Sequence, residues 1–123
     1  MAATLLIVED DTFLINAYRF AFEKEGYTLI IAHDGEEALK ELQSHQVDAV
    51  ILDMIMPKKS GGDFLKALRS TEGKKDIPVV VATNMSNESE KALCLEYGVS
   101  DYCVKSDVSI DTIAQRVKSI LEK

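Results

Sequence analysis

The feature that most constrains the fold of this chain is a repeated alternation of short apolar runs with longer amphipathic stretches. The runs have the length of strands and carry few polar residues, which is typical of strands buried on both faces. The predicted strands are Thr4–Val8, Thr28–Ala32, Ala49–Leu52, Val79–Ala82 and Tyr102–Val104. A predicted helix follows each strand, and uninterrupted strand–helix units indicate a parallel sheet with helices on both faces.

Apolar residues spaced three and four apart, together with capping residues, mark the helices. They are predicted at Thr12–Glu25, after a cap at Asp34, and at Gly61–Ser70, Asn87–Tyr97 and Ile110–Leu121. In the first helix the spacing predicts that one buried face carries Phe13, Leu14, Ala17, Phe20 and Ala21. In the fourth, Asn87 and Glu90 have the spacing of a capping box.

The predicted fold class is therefore α/β, a doubly wound, five-stranded parallel sheet between two helical layers. Right-handed crossovers restrict the topology, and we predict the strand order 2-1-3-4-5 of a flavodoxin-like (βα)5 three-layer sandwich. The 123 residues suffice for one core and are too few for two, so we expect a single domain over 1–123.

Charge and hydropathy exclude several classes of function. The net charge is -7 and no basic cluster offsets it, so we expect no direct nucleic-acid binding. The longest apolar runs are too short to cross a membrane. Because the first strand follows Met1-Ala2-Ala3 without a leader, we expect a cytoplasmic protein.

Side chains with chemistry follow four of the strands, at the edge where open α/β sheets bind ligands. They are Glu9 and Asp10 after the first strand, Asp53 after the third, Thr83 after the fourth and Lys105 after the fifth. Carboxylates about 4 Å apart repel by about 4 kcal/mol per pair at an effective dielectric near 20. A divalent cation with oxygen ligands, best Mg²⁺, would remove this repulsion. Asp53 is the candidate nucleophile for phosphoryl transfer, with Lys105 and Thr83 neutralising the phosphoryl oxygens.

A third acid, Asp11, follows the pair. We interpret it as the cap of the first helix rather than as a metal ligand.

These residues carry a resemblance to the receiver domain of two-component response regulators. The matching segments are Val8-Glu9-Asp10-Asp11, Leu52-Asp53-Met54-Ile55-Met56-Pro57 followed by Gly61, Ala82-Thr83, and Asp101-Tyr102-Cys103-Val104-Lys105. The likeness covers the whole chain, and the ordered set of segments is highly specific.

The resemblance implies that Asp53 is phosphorylated by a sensor histidine kinase or a histidine phosphotransfer protein. Asp10, Asp53 and the backbone carbonyl of Ile55 would bind Mg²⁺, with Glu9 acting through water, and Mn²⁺ could substitute. The domain would catalyse its own phosphorylation and a slow autodephosphorylation, and would not be an enzyme for external substrates.

It also implies that Lys105 binds the phosphoryl group and that Thr83 and Tyr102 form a switch pair. The switch would alter the surface of the fourth helix, fifth strand and fifth helix, which would control an output protein or an effector domain. On that surface Lys91, Asp101 and Arg116 resemble charges that pair across receiver dimers, so a phosphorylation-dependent homodimer is one expected partner arrangement; ordinary solvated charges are the other interpretation.

Two positions depart from the family pattern. Ser106 stands where a cis proline usually follows the lysine, and a cis bond before a non-proline residue costs about 3–4 kcal/mol. A trans Lys105–Ser106 bond is therefore favoured, which leaves the position of the Lys105 loop open. Asn84 stands where a small residue is usual; we expect its amide to reach the phosphoryl group or screen attacking water, and so to alter the lifetime of the phosphorylated form.

The leading interpretation is a phosphoacceptor module, complete or cut from a longer regulator, and it has three alternatives. An aspartyl phosphatase or mutase needs an acid two residues after its nucleophile, where Ile55 stands. A flavodoxin-like cofactor binder needs a phosphate-cradling loop where Glu9 and Asp10 would repel the ligand. The third alternative is a receiver that binds partners without phosphate. Ser106 mildly favours this alternative, whereas the intact set of acids, threonine and lysine argues against it.

Overall fold

A computed structural model of the protein describes residues 3–55, 60–71, 73–74, 76–84 and 88–122. Strands and helices alternate as the sequence predicts. The elements are β1 Thr4–Val8, α1 Thr12–Glu23, β2 Thr28–Ala32, α2 Gly35–Ser44, β3 Ala49–Leu52, α3 Gly61–Ser70, β4 Val79–Thr83, α4 Glu88–Glu96, β5 Asp101–Val104 and α5 Ile110–Leu121. All five strands are parallel and lie in the order β2-β1-β3-β4-β5. The predicted fold class and strand order are confirmed.

The register of the central strands brings the candidate site together. Val8, the last residue of β1, pairs with Leu52, the last residue of β3. The residues that follow, Glu9 and Asp53, therefore leave the sheet at the same level. Thr83, the last residue of β4, pairs with Val104, directly before Lys105.

Two apolar cores cover the two faces of the sheet. Because side chains alternate along a strand, Leu6 and Val8 of β1 face one core and Leu5 and Ile7 face the other. The first core is completed by α2, α3 and α4, and we call it the α2–α4 core. The second is completed by α1 and α5, and we call it the α1–α5 core.

The predicted buried face of α1 is wrong in part. Phe13 and Phe20 are 81% and 76% exposed, whereas Tyr18 and Phe22 are buried with their rings stacked at a centroid distance of 6.2 Å. Apolar residues on α1 exceed one helical face, so their spacing fits two stripes. The stripe that contains Ile15, Tyr18 and Phe22 packs against the sheet, and it fills the α1–α5 core with two large rings.

Some element bounds also differ from prediction. Helix α1 ends at Glu23 rather than Glu25, β4 includes Thr83, and β5 begins at Asp101. Helix α4 ends at Glu96 rather than Tyr97. The predicted first residue and cap, Asn87, lies outside the described residues. Within the described part of the chain, no helix has both the length and the apolar character that crossing a membrane requires.

Candidate phosphoacceptor site

The backbone holds the candidate residues one step beyond the ends of the strands. The amide of Asp53 donates to the carbonyl of Val8 at 3.0 Å, and the amide of Lys105 donates to the carbonyl of Thr83 at 2.8 Å. The amide of Glu9 donates to the carbonyl of Ala32 at 2.9 Å. The ladder of the parallel sheet thus continues into the site and fixes where each side chain begins.

Alternation along the strands decides which face of the sheet each side chain enters. Glu9 is two residues after Ile7, Asp53 two after Ile51, and Lys105 two after Cys103, and all three predecessors belong to the α1–α5 core. Thr83 follows Val81, which belongs to the α2–α4 core. The acids and the lysine therefore share one face, and the Thr83 side chain lies on the other.

Lys105 joins two of the acids. Its Nζ lies 2.6 Å from Oε1 of Glu9 and 3.2 Å from Oδ2 of Asp53. The three side chains are 10%, 3% and 8% exposed, respectively, so water screens these contacts little. The direct contact between Lys105 and Glu9 was not expected from the sequence, in which Lys105 was assigned only to the phosphoryl group.

The remaining carboxylate oxygens are bound by backbone amides. Oδ1 of Asp53 accepts from the amide of Ile55 at 3.1 Å, and Oε2 of Glu9 accepts from the amide of Asp11 at 3.2 Å. The side chain of Asp11 accepts from the amides of Phe13 and Leu14 at 2.9 and 3.3 Å. Asp11 is thus the cap of α1, as predicted, and the start of the helix is tied to Glu9.

For both Glu9 and Lys105, burial and the ion pairs shift the pKa of the side chain in opposite directions. Burial raises the pKa of Glu9, and the hydrogen bond and charge of Lys105 offset this only in part. Burial disfavours the charged form of Lys105, but Glu9 and Asp53 outweigh it and raise the pKa of the amine. Lys105 therefore stays charged at neutral pH.

A candidate cation site lies beside this network. Glu9, Asp10 and Asp53 each offer one carboxylate oxygen, and these oxygens lie within 4.8 Å of one another. Asp10 is exposed, whereas Glu9 and Asp53 are buried, so the site opens to solvent on the side of Asp10. An all-oxygen donor set with access for water fits Mg²⁺ or Mn²⁺.

The Lys105 loop reaches the acids without a cis bond. Among the described residues no peptide bond is cis, and Lys105–Ser106 is trans. The amide of Asp107 donates to the carbonyl of Val104 at 2.9 Å, which closes a turn over this segment. Ser106 in place of proline is therefore compatible with a lysine directed into the site.

The predicted switch residues lie on the other face of the sheet. Thr83 is fully buried at the end of β4, and Tyr102 of β5 is half-buried and packs against the α2–α4 core. Tyr102 pairs in register with Val81, two residues before Thr83. Burial raises the pKa of the Tyr102 phenol. Asn84 is exposed directly after Thr83.

Two of the predicted output residues, Lys91 and Arg116, line a surface cavity of about 250 Å³ together with Tyr102. Nη1 of Arg116 lies 3.2 Å from Oδ1 of Asp101, so these two charges pair within the chain. Lys91 is exposed on α4.

Two residues were missed in the sequence, and they lie in different parts of the molecule. Tyr18 packs in the α1–α5 core with Ile7, Ile51 and Cys103, and its position three residues after Ile15 and four before Phe22 could have indicated its burial. Arg69 donates from Nε to the carbonyl of Tyr97 at 2.7 Å, from Nη1 to Ile77 at 2.8 Å and from Nη2 to Gly98 at 3.2 Å. No local pattern signals that role, because the acceptors are backbone carbonyls.

Fold and site together define an α/β domain with a candidate oxygen-ligand cation site and a charged lysine at the topological switch point of its sheet. The family model for the response regulator receiver domain matches residues 5–118. The chain belongs to this family, and it is a receiver domain of two-component signal transduction.

Similar proteins agree with this assignment. The transcriptional regulatory protein CpxR of Escherichia coli (strain K12) is 40% identical over 119 residues, which cover 97% of this chain and 49% of CpxR. The chain thus spans about half the length of the curated relatives it matches.

Solved structures share the fold over its whole extent. A putative response regulator from Chloroflexus aurantiacus superposes with a TM-score of 0.90 at 31% identity, and the match covers 100% of both chains. The Mn²⁺-bound form of the response regulator Rcp1 has a TM-score of 0.85 at 27% identity and covers 95% of this chain and 92% of its own.

Proposed function

We propose that Asp53 is the phosphoacceptor of this receiver domain and that a sensor histidine kinase or a histidine phosphotransfer protein is the donor. The single observation that carries the proposal is the position of the Lys105 amine, within hydrogen-bond distance of Asp53 and Glu9. Such a cation beside an aspartate is placed to neutralise charge that arrives with a phosphoryl group.

In the transfer, a carboxylate oxygen of Asp53 attacks phosphorus and forms a new P–O bond. The bond between phosphorus and the donor imidazole nitrogen breaks, and its electron pair stays on the leaving imidazole. Lys105 and the hydroxyl of Thr83 would each bind one phosphoryl oxygen. The protein itself would catalyse this step and a slow hydrolysis of the acyl phosphate, without turning over external substrates.

Asp10, Asp53 and the carbonyl of Ile55 would hold Mg²⁺ directly, and Glu9 would act through water. The bound ion would neutralise a phosphoryl oxygen and align the donor. The convergence of three carboxylates supports this assignment, as does the Mn²⁺ bound by the similar regulator Rcp1. Mn²⁺ should therefore support phosphorylation as well.

The test is incubation with Mg²⁺ and acetyl phosphate, followed by intact-protein mass spectrometry. We expect the wild type to gain one phosphoryl group, and Asp53→Asn to gain none. Asp111→Asn is the matched control, since Asp111 is an exposed aspartate on α5, and it should be phosphorylated like the wild type. No gain in the wild type would favour a receiver that binds partners without phosphate. A gain that persists in Asp53→Asn would place the phosphoacceptor elsewhere.

We further propose that phosphorylation changes the surface formed by α4, β5 and α5 through Thr83 and Tyr102. A phosphoryl group adds a charge of about −1.5 to −2 beside Asp53, which would draw the Thr83 hydroxyl inward and let the Tyr102 ring move toward the core. The partner of this surface would be an output protein, an effector domain or a second copy. A homodimer that used Asp101 and Arg116 would exchange the pair that they form within one chain.

Asn84 is proposed to set the lifetime of the phosphorylated form. Asn84 is exposed and directly follows Thr83, which supports the proposal that its amide contacts the phosphoryl group or screens water. Dephosphorylation of the wild type and of Asn84→Ala should therefore proceed at different rates after acetyl phosphate is removed. Equal rates would show that Asn84 has no such role.

A further inference from the structure

The hydroxyl of Tyr18 is a buried polar group without a hydrogen-bond partner. Tyr18 is 1% exposed, and its oxygen is the one buried side-chain nitrogen or oxygen lacking a partner among the residues that the structure describes. Because leaving a buried hydroxyl unpaired is unfavourable, such a group calls for an explanation. A phenylalanine would fill the same space without this penalty.

The position of Tyr18 places the hydroxyl below the acidic site. Its ring belongs to the α1–α5 core together with Ile7, Ile51 and Cys103, the residues two positions before Glu9, Asp53 and Lys105. Side chains on a helix lean toward the helix N-terminus. The N-terminus of α1 adjoins the site, since its cap Asp11 donates its amide to Glu9.

The electrostatic surroundings of the phenol agree with this position. Burial raises the pKa of Tyr18, and the negative charges of Glu9 and Asp53 raise it further. The hydroxyl is therefore a neutral donor at neutral pH. A neutral donor near two carboxylates is suited to hydrogen-bond one of them.

Glu9 is the carboxylate that would need this donor. Its Oε1 accepts from Lys105 and its Oε2 from the amide of Asp11. When Lys105 turns to a phosphoryl group on Asp53, Oε1 loses the amine. We propose that Tyr18 is a positioning residue of the phosphoacceptor site, whose hydroxyl then donates to Glu9, directly or through one water molecule. This inference rests on the proposed function for the event that displaces Lys105, but the hydrogen bond itself can be tested without phosphate.

The test is a double-mutant cycle of Tyr18→Phe and Lys105→Met, measured by urea unfolding in metal-free buffer. Lys105→Met removes the amine from Glu9 permanently, as phosphorylation would do transiently. In the wild type, Tyr18→Phe should lower the unfolding equilibrium constant or leave it unchanged, because the substitution removes a buried hydroxyl that is unpaired there. In Lys105→Met, the same substitution should raise that constant about five- to tenfold.

Tyr27→Phe is the matched control, because Tyr27 packs against the same core at the opposite end of the sheet. Its effect should be the same in both backgrounds. Equal effects of Tyr18→Phe in the two backgrounds would overturn the inference, since a residue that acts only through packing would not depend on Lys105.

Phosphorylation gives the second measurement. With acetyl phosphate and Mg²⁺, Tyr18→Phe should reduce the initial rate about three- to tenfold while Tyr27→Phe leaves it unchanged. An unchanged rate in Tyr18→Phe would overturn the role of Tyr18 in the site. A wild type that accepts no phosphoryl group would instead overturn the proposed function, and the unfolding cycle would still decide whether Tyr18 donates to Glu9.

Discussion

Lys105 lies at the carboxyl ends of the strands and Arg69 lies near their amino ends. Each of these charged side chains binds groups from separate segments of the chain. At the carboxyl end, Lys105 connects Glu9 and Asp53. At the amino end, Arg69 donates to three backbone carbonyls that precede β4 and β5, those of Ile77, Tyr97 and Gly98. Both side chains bind groups that are distant in sequence, but the acceptors of Lys105 are carboxylates and those of Arg69 are backbone carbonyls.

This difference separates a site that can rearrange from one that cannot. The carboxylates of Glu9 and Asp53 belong to a candidate metal site, and we propose that Asp53 is phosphorylated, so the partners of Lys105 would change. Backbone carbonyls keep their charge and position, and Arg69 binds them with the planar geometry of a guanidinium. The amino end is therefore a fixed support, and the carboxyl end is where a signal can be received.

Helices α3 and α4 connect the two ends. Gly61, the first residue of α3, lies against the segment after Asp53, and Arg69 lies in the last turn of the same helix. Through Tyr97 and Gly98, Arg69 also holds the chain at the C-terminal end of α4. Within α4, Cys94 is the one fully buried residue, and its Sγ contacts Sδ of Met54 at 3.9 Å. We expect any movement of α4 on phosphorylation to pivot about this C-terminal end.

The largest effect is expected for Lys105→Met. Removal of the amine leaves two buried carboxylates without their cation, which should lower the free energy of unfolding by about 3 kcal/mol in metal-free buffer. Loss of a charge-stabilising donor should slow phosphorylation by acetyl phosphate about 100-fold. Chemical denaturation and the mass assay measure the two effects.

Metal ions sharpen this prediction. Mg²⁺ should restore a large part of the stability lost in Lys105→Met, because the ion neutralises the same carboxylates. If Mg²⁺ stabilised the wild type as much as it stabilises Lys105→Met, the carboxylates would not be short of a cation in the variant. The electrostatic account of the carboxyl end would then be wrong.

A smaller effect on stability, and none on chemistry, is expected for Arg69→Met. Three carbonyls lose a charged donor, and the free energy of unfolding should fall by about 2–3 kcal/mol. Unlike the loss at Lys105, this loss should be independent of Mg²⁺, and phosphorylation by acetyl phosphate should stay within about twofold of the wild type. Arg19→Met, at an exposed arginine of α1, should leave both quantities unchanged. If Mg²⁺ restored the free energy of unfolding of Arg69→Met, the proposed difference between the two ends of the sheet would be wrong.

The sequence predicts the carboxyl end much better than the amino end, for a physical reason. The site depends on residue types that follow strands, and strands are recognised from their apolar runs. The sequence alone therefore places Glu9, Asp53, Thr83 and Lys105 on one edge of the sheet. Arg69 acts on carbonyls, which every residue possesses, so its role depends on tertiary geometry alone.

The same distinction explains the error in α1. Phe13 and Phe20 fit a helical stripe as well as Ile15 and Tyr18 do, and periodicity cannot choose between two apolar stripes on one helix. Tertiary packing decides which stripe is buried, because the face of α1 toward the sheet holds the stacked rings of Tyr18 and Phe22. Tyr18 was consequently missed as a core residue.

The mildest variants compare two adjacent glycines at the start of α3, the helix that spans the two ends. A Cβ on Gly61 would lie 2.6 Å from Cα of Met54 and 3.0 Å from the carbonyl oxygen of Asp53, whereas a Cβ on Gly62 would lie 2.8 Å from a terminal methyl carbon of Leu93. Backbone cannot move aside as a side-chain methyl can. We therefore expect Gly61→Ala to lower the free energy of unfolding by about 2 kcal/mol and to slow phosphorylation, because the Asp53 segment must shift.

Gly62→Ala is the matched control for this effect. Alanine gains helix propensity at the same helix terminus in both variants, and in Gly62→Ala only Leu93 must adjust, so its free energy of unfolding should stay within about 0.5 kcal/mol of the wild type. Equal stability and equal phosphorylation rates in the two variants would mean that α3 does not fix the Asp53 segment. The carboxyl end would then depend on the sheet alone, and α3 could not transmit the rigidity of the Arg69 end to the phosphoacceptor.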